Sequence, residues 1–502
     1  MKEHYYVALD IGSSSVKVVV GEKFHNGVNV IGTGQTFTDG VSKGMINDFD
    51  QAKNAIIDTI KKAKIASGVD IDEVFVKIPI ADTKIHFTDE ILRFSGQATE
   101  ISGEHIEELL ENVRSANIHS NEEVVSVYPV SFIVDGLHEV NDPKEMIVED
   151  SLTVKAGVIT ANRTLLINLI KCVEAAGLTV LDVYSDALNY QHVLTDAEIE
   201  LGAVVIDIGM DLTQFAYFER GSLKYANSVD LAGRDITLDL VDEFNTTYEE
   251  ADKAKEQYGH AFFDHASDDE KLMLSQTDSD QGLQVTSKDL ADVIELVIED
   301  ALMSVFENIA ANGINTVQGG FIITGGTSNI RGVKELVQDL VAEKVRVHIP
   351  NQMGARKPEF TSAISTLSNG IMFDELLDYV TIDNYDDYPE DSGEHVESSD
   401  QQEQPTNFFT GLFNKRKEEN ELQVNRDDSE VEEDGLDQED YNYPEEEDTP
   451  SYEDESVDSD EDYEDYEDDE IESRVGSEEA KETKDDSSLG SKMKKVLKNL
   501  FE

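Results

Sequence analysis

The stretch DIGSSSVK, residues 10–17, decides the fold. Apolar runs at residues 5–11 and 16–20 predict two short buried strands, joined here by a Gly/Ser turn. A turn of glycine and small hydroxyl residues directs backbone N–H groups and hydroxyls at an anion. By itself the stretch fits two interpretations, a phosphate-binding turn or an ordinary β-hairpin.

Two further stretches repeat this chemistry: VVIDIGMDLTQ at 204–214 and FIITGGTSNIRG at 321–332. The second of them has a strand, a glycine pair and the start of a helix, which lets a planar ring approach the backbone. Each could be a structural turn, but together they supply the two phosphate hairpins and the adenosine loop that clamp ATP between two lobes. A bare carboxylate would repel a triphosphate, so we expect Asp10 and Asp207 to face it through Mg²⁺ and its waters.

Charge excludes one class of function. The formal net charge is -68, and residues 381–490 contain 44 Asp and Glu against 7 Lys and Arg. Because contacts with phosphate backbones need Lys and Arg, we expect no nucleic-acid partner.

The N-terminus MKEHYYVALD lacks the charged and apolar regions of a signal peptide, and no stretch has the roughly 18 apolar residues that span a bilayer. The single cysteine, Cys172, excludes an internal disulfide and a cysteine-cluster metal site. These features predict a protein made and kept inside the cell.

Periodicity predicts helices over residues 50–67, 103–117, 236–258 and 287–311. After about residue 382 the periodicity ends, and the chain becomes too polar and self-repelling to bury a core. The predicted parts are a lobe 1 core at 1–82 and 155–200 with part of 360–381, a subdomain inserted in lobe 1 at 83–154, a lobe 2 core at 201–235 and 312–360, a small lobe 2 subdomain at 236–311, a disordered acidic linker at 382–488, and an amphipathic helix at 489–502.

The terminal segment SKMKKVLKNLFE has apolar residues spaced along one helix face, with lysines on the flanks and the opposite side. This pattern predicts a helix in a membrane interface, its lysines at anionic headgroups; the alternative is a helix that binds a partner or docks on the body. We expect one such helix to bind a membrane weakly and a filament that carries many of them to bind it tightly. Filament assembly and membrane attachment would therefore be coupled. The apolar residues are Met493, Val496, Leu497, Leu500 and Phe501, and the lysines are Lys492, Lys494, Lys495 and Lys498.

The order of the three turns resembles the actin, Hsp70 and sugar-kinase superfamily, and the resemblance is closest to the FtsA family of bacterial cell division proteins. It covers residues 5 to about 375, and residues 74–136 discriminate best because they look like the subdomain that this family inserts in lobe 1. The resemblance implies an α/β actin-like two-lobe ATPase fold with two RNase H-like lobes. Supporting stretches are GMINDFDQAKNAI at 44–56, VFVKIPIADTKIHF at 74–87, VYPVSFIVDG at 127–136, AGRDIT at 232–237, ADKAKEQYG at 251–259 and MGARKPEFTSAIS at 353–365.

The resemblance also implies roles for individual residues at an ATP site. For Lys255 an exposed helical lysine remains the alternative. Phosphate contacts are implied for Gly12, Ser13, Ser14, Ser15 and Lys17 and for Asp207 and Gly209, adenosine contacts for Gly325, Gly326 and Thr327, ribose and base contacts for Asp252 and Lys255, and a loop end near the cleft for Gly233.

Two departures from the family pattern limit what the resemblance implies. Met210, Asp211 and Leu212 replace small residues in the second turn, so Asp211 either weakens binding at the γ-phosphate or turns outward. With no catalytic base identified, we expect at most a slow ATPase, whose nucleotide acts as a structural and polymerisation ligand. In the small subdomain, Val297 replaces an arginine implied to grip an acidic partner peptide.

The function implied is an adaptor that polymerises, anchors the FtsZ ring to the cytoplasmic face of the membrane at the division site and helps recruit later division proteins through the inserted subdomain. The implied partners are the FtsZ C-terminal peptide, other copies of the chain and anionic lipids. The alternatives are a shape-determining or pilus-assembly ATPase and a sugar or acetate kinase.

Overall fold

A computed structural model describes residues 5–24, 27–116, 121–277 and 279–383. Its first part is a five-stranded sheet of order β13-β6-β1-β2-β3, in which β1 and β2 form the predicted antiparallel hairpin and β6 runs parallel to β1. The elements are β1 (Tyr6–Ile11), β2 (Ser15–Phe24), β3 (Gly27–Phe37), β4 (Val41–Ser42), β5 (Met45–Ile46), α1 (Phe49–Ser67) and β6 (Glu73–Ile78), with α3 (Arg163–Ala175), β13 (Thr179–Ser185), α4 (Asp186–Asn189) and α5 (Asp196–Leu201) later in the chain.

The ends of α1 follow from its sequence. The Asp48 side chain accepts a hydrogen bond from the Gln51 N–H, and Gly68 ends the helix with φ 73°. Ile56 and Ile60 on one face of the helix pack with Val18 of β2 in the core of lobe 1. The prediction of a helix at 50–67 is therefore confirmed to within one residue.

An inserted unit follows β6 and has a sheet and a core of its own. The sheet has the order β10-β9-β12-β7, and its core includes Leu109 and Val113 of the helix. The predicted boundary at residue 155 falls inside one continuous strand, whose last part, with Ile159 and Ala161, packs in the lobe 1 core. The elements are β7 (Thr83–Arg93), β8 (Thr99–Glu100), α2 (Gly103–Ala116), β9 (Glu122–Val134), β10 (His138–Val140), β11 (Ile147–Val148) and β12 (Ser151–Asn162).

Lobe 2 repeats the architecture of lobe 1. Its five-stranded sheet has the order β16-β15-β14-β19-β20, again with an antiparallel hairpin, β14 and β15, beside a parallel strand. The elements are β14 (Ala203–Ile208), β15 (Thr213–Glu219), β16 (Ser222–Val229), α6 (Gly233–Phe244), α7 (Tyr248–Tyr258), β17 (Lys271–Gln276), β18 (Ser279–Thr286), α8 (Ser287–Ala311), β19 (Gly320–Thr324), α9 (Val333–Leu340) and β20 (Val345–Val347).

The helical segment predicted over 236–258 consists of two helices, α6 and α7, with a short break between them. Asn245 ends α6 in the left-handed conformation with φ 47°, and the Thr247 hydroxyl caps α7 by accepting from the Glu250 N–H. Both residues favour helix ends over helix interiors. The helix predicted at 287–311 coincides with α8.

The chain then returns to lobe 1 as α10 (Thr361–Asp383). Ala363 and Leu367 pack against Ala8 and Val19 of the first hairpin. A network of buried amides joins this helix to α4, since Asn369 Nδ2 donates to Asn189 Oδ1 at 2.6 Å.

The acidic linker and the terminal amphipathic helix, which are predicted at 382–488 and 489–502, lie outside the described residues apart from the end of α10. Over the part that is described, no helix is both long and apolar enough to cross a bilayer.

Candidate functional site

The three predicted turns meet at one cleft between the lobes. Its outer cavity has a volume of about 830 Å³. An inner chamber of about 100 Å³ lies at the strand ends. Predicted residues that line the outer cavity are Ser13, Ser14, Ser15, Gly209, Asp252, Lys255, Gly326 and Thr327, and those that line the inner chamber are Asp10, Gly12, Ser13, Ser14, Lys17, Asp207, Gly209, Gly325 and Gly326.

The first turn is closed by a backbone hydrogen bond from Gly12 N to Ser15 O at 3.2 Å. Ser15 is fully buried, and its hydroxyl accepts from Gln35 Nε2 of β3 at 3.2 Å. Lys17 Nζ donates to Asp10 Oδ2 at 3.2 Å across the hairpin. The hairpin therefore presents a fixed ammonium group beside the Gly/Ser turn.

The second turn and the predicted adenosine loop are joined by direct hydrogen bonds. Gly209 O accepts from the Thr327 hydroxyl at 2.7 Å and from Gly233 N at 3.1 Å. Gly325 has φ 90°, and a Cβ at this position would collide with Asp207 and lie 2.5 Å from Ile208 O. Only glycine fits this turn without strain. Gly233 is therefore connected to the cleft by its hydrogen bond to Gly209.

Lys255 is buried, so the alternative of an exposed helical lysine is wrong. Its Nζ donates to Gly233 O at 2.9 Å, to the Thr237 hydroxyl at 2.6 Å and to Asp252 Oδ1 at 2.7 Å. The residue borders the outer cavity and holds the loop at Gly233 in place.

Asp211 is buried and lines the inner chamber, so it does not turn out of the cleft, but three neighbouring donors bind its carboxylate. The carboxylate accepts from Ser42 Oγ at 2.9 Å, from Lys43 N at 3.0 Å and from Arg234 Nε at 2.6 Å. Burial by itself raises the pKa of Asp211, but the bonds from Arg234 and Ser42 lower it below the usual range. Asp211 therefore links lobe 2 to the turn between β4 and β5 of lobe 1.

The inner chamber holds charged residues that the sequence analysis missed. Lys77 of β6 lies 3.0 Å from Asp186 Oδ2 and 3.4 Å from Asp10 Oδ1. Asp186 is completely buried and also accepts from Ser362 Oγ of α10. A lysine inside the apolar run VFVKIP and an aspartate directly after β13 were the available signals.

Asp207 faces the same chamber from lobe 2. Its Oδ2 accepts from the Tyr190 hydroxyl at 2.8 Å. Burial raises the pKa of Asp207 to about 6, and the neighbouring Asp186 adds to this increase. A positive charge brought into the chamber would oppose both effects.

The carboxylates are suitable for a hydrated Mg²⁺. Asp10 Oδ1 is buried and its one neighbouring donor, Lys77 Nζ, lies 3.4 Å away outside hydrogen-bond geometry, so this oxygen can still accept a hydrogen bond from a metal-bound water. Asp10 and Asp207 line the same chamber as the Gly/Ser turn. Among the described residues no group of three His, Cys, Asp or Glu side chains is placed to chelate a metal directly. A cation here fits best as part of a metal–nucleotide complex.

Val297 is not a surface contact. It is buried in the core of lobe 2, whereas its neighbour Leu296 is 56% exposed. The missing arginine of the family pattern therefore corresponds here to a core position of α8.

Two lobes with matching hairpins around a shared cleft define a protein of the actin-like ATPase fold class. In agreement, the chain is similar to a solved structure, the PilM-PilN type IV pilus biogenesis complex, with a TM-score of 0.53 and 14% identity over 74% of this chain and 99% of the other. This likeness concerns the fold alone.

The family profile described as "Cell division protein FtsA" matches residues 204–365, and that of the "SHS2 domain inserted in FTSA" matches residues 82–160. Cell division protein FtsA of Staphylococcus epidermidis is 56% identical over 82% of this chain and 88% of its own length. That of Bacillus subtilis is 34% identical over 72% of this chain and 82% of its own length. The chain belongs to the FtsA family of cell division proteins, which confirms the resemblance over the alternatives.

Proposed function

We propose that the chain is an ATP-binding adaptor that polymerises and holds the FtsZ ring at the cytoplasmic face of the membrane at the division site. The observation that carries the proposal is the meeting of three glycine-containing turns at one cleft in a member of the FtsA family.

The cleft suits a nucleotide in size and chemistry. Its outer cavity of about 830 Å³ lies within the range of small-molecule sites. The Gly/Ser turn and Lys17 would hold the phosphates, and Gly326 and Thr327 would border the adenosine. A bound Mg²⁺, held through waters by Asp10 and Asp207, would neutralise phosphate charge.

Slow turnover is consistent with the geometry. Lys77, Ser362 and, at 3.4 Å, Gln214 Nε2 all donate to the buried Asp186. The two oxygens of Asp10 lie 3.2 Å from the Lys17 ammonium group and 3.4 Å from that of Lys77. A carboxylate with its lone pairs engaged is a poor general base for an attacking water. We infer that nucleotide acts chiefly as a ligand that favours one lobe arrangement and filament assembly.

The small subdomain of lobe 2 is proposed to bind the FtsZ C-terminal peptide by apolar contact. Leu296 on α8 is exposed beside the buried Val297. Lys288 Nζ lies 4.8 Å from the centre of the Phe263 ring and 3.6 Å from Asp268 Oδ2, so the same subdomain has a cation beside an aromatic group, whose acidic partner a peptide would replace. A peptide with apolar and acidic residues could use both features. The inserted subdomain is proposed to bind later division proteins.

Membrane attachment is proposed for the terminal segment, which lies outside the described residues. Five partly buried apolar side chains contribute on the order of 5 kcal/mol, and each lysine near an anionic surface roughly 1 kcal/mol. Ordering a short helix opposes this gain, so a single copy binds reversibly. Deleting residues 490–502 should abolish sedimentation with anionic liposomes and leave ATP binding unchanged.

A reconstitution tests the whole proposal. Fluorescent FtsZ is mixed with anionic vesicles, ATP and the full-length chain, and vesicle-bound fluorescence is measured. We expect recruitment by the chain and none by the variant lacking residues 490–502. Leu296→Glu should reduce FtsZ recruitment while the variant itself still sediments with the vesicles. Recruitment that is equal with and without the chain would refute the adaptor function.

A further inference from the structure

Lys77 is a buried cation at the inner end of the cleft that the proposed ATP contacts leave unexplained. It is 8% exposed and sits one residue before the end of β6. Its ammonium group pairs with Asp186 at 3.0 Å and with Asp10 at 3.4 Å, and the side chain lines the inner chamber. The strand fixes its position, because a backbone within a sheet moves little.

At this end of the cleft the buried negative charges outnumber the buried positive charges. Besides Asp211, which pairs with Arg234, three buried carboxylates, Asp10, Asp186 and Asp207, meet two buried ammonium groups, Lys17 and Lys77. Buried charges need partners because they lose the hydration they have in water. Lys77 therefore neutralises part of the acid that faces the site proposed for the terminal phosphates.

The contacts of Lys77 differ on its two sides. Asp186 does not line the chamber, is fully buried and has further donors in Ser362 and Gln214. Asp10 does line the chamber, and its Oδ1 accepts no hydrogen bond. Lys77 is thus anchored by Asp186 and directed toward the carboxylate beside the Gly/Ser turn. A divalent cation bound with the nucleotide would neutralise the same carboxylate.

Lys77 keeps its charge in this position. Burial lowers its pKa, but Asp10 and Asp186 outweigh burial and raise the pKa above the usual value.

We propose that Lys77 is an internal cation that replaces part of the charge of the divalent metal at the phosphate end of the cleft, so that this chain binds ATP without Mg²⁺. The inference rests on the proposed ATP binding. A metal in solution then adds to the affinity without being required for it.

The experiment measures ATP dissociation constants by titration calorimetry, in excess Mg²⁺ and in excess EDTA, on the full-length chain. We expect the natural sequence to bind under both conditions, with a loss of about tenfold or less in EDTA. Lys77→Met should lose about a hundredfold more in EDTA, the effect of one close charge at a partly buried site, and much less in Mg²⁺.

Because Lys77→Met leaves Asp186 without its cation, that variant is liable to misfold. A second pair of variants avoids this problem. Asp186→Asn keeps Lys77 and removes the negative charge that anchors it. The double variant, Lys77→Met with Asp186→Asn, removes both charges, so the net charge of the cluster stays as it is in the natural sequence. We expect Asp186→Asn to bind ATP in EDTA at least as tightly as the natural sequence and the double variant to bind at least tenfold more weakly.

Two results would overturn the inference. One is binding by the natural sequence in Mg²⁺ but not in EDTA; the other is equal affinity of Asp186→Asn and the double variant in EDTA. Failure of the natural sequence to bind ATP even in excess Mg²⁺ would refute the proposed ATP binding itself. If Lys77 had only a structural role, Lys77→Met would lower the melting temperature and would weaken ATP binding equally in Mg²⁺ and in EDTA.

Discussion

The glycine pair of the adenosine loop allows folding and ligand binding to be perturbed separately. At Gly325, φ is 90° and an added Cβ would collide with Asp207 and lie 2.5 Å from the Ile208 carbonyl. The backbone strain costs about 1 to 3 kcal/mol and the overlap with a neighbouring strand about as much again. We therefore expect Gly325→Ala to lower the free energy of unfolding by about 3 kcal/mol or more.

Gly326 is different, because the nearest atom to an added Cβ is Glu359 Cβ at 3.8 Å, an ordinary contact. Gly326→Ala should change the free energy of unfolding by less than about 1 kcal/mol. Gly326 and Glu359 both border the outer cavity, so the longer side chain of Gly326→Leu extends along its wall. We expect this variant to fold normally and to bind ATP at least about tenfold more weakly.

Urea denaturation and calorimetric titration with ATP measure the two effects on the same proteins, and Gly326→Ala is the matched control for Gly326→Leu. Unchanged ATP affinity in Gly326→Leu would show that the adenosine loop is misplaced. A Gly325→Ala variant as stable as the natural sequence would contradict the geometry of the turn.

Three further predictions concern single side chains. Asp211→Ala removes the acceptor shared by Ser42, Lys43 N and Arg234, so the free energy of unfolding in urea should fall by about 2 kcal/mol, and a smaller loss in Asp211→Ala than in Asp211→Asn would contradict this. Burial and the nearby Arg346 lower the folded-state pKa of His348 to about 4, below the unfolded value of about 6.5, so the unfolded state takes up the proton first as the pH falls. The natural sequence should thus lose about 1 to 2 kcal/mol more than His348→Gln between pH 7 and pH 5, and equal losses would refute this assignment. Tyr190→Phe removes the donor to Asp207, so the pKa of that carboxyl, followed by NMR, should rise above about 6, and a fall would contradict the hydrogen bond.

The sequence predicts the parts of the fold that depend on local patterns. The strands of the two hairpins, the helix α1 and the helix α8 follow from apolar spacing and from caps such as Asp48 and Thr286, and all of these signals lie within a few residues of the element they define. The break between α6 and α7 carried a comparable signal in Asn245 and Thr247, but the apolar period continued through it.

The candidate site, too, can be predicted from the sequence only where its residues belong to a local pattern. The three turns are recognisable because each combines a buried strand with a glycine directly after it. The ion cluster beneath them is not, because Lys77 and Asp186 are 109 residues apart and become neighbours only when β6 pairs with β13. The direction of Asp211 likewise depends on Ser42, which is 169 residues away. A single sequence shows that these residues are charged, but not what they face.

The position of α10 has a mechanical consequence. The helix ends at Asp383, and its first turn places Ser362 on Asp186, which holds Lys77 at the base of the cleft. Asn369 and Thr366 fasten the middle of the same helix to Asn189. A force that pulls on this helix along its axis would therefore act on the charged residues between the lobes.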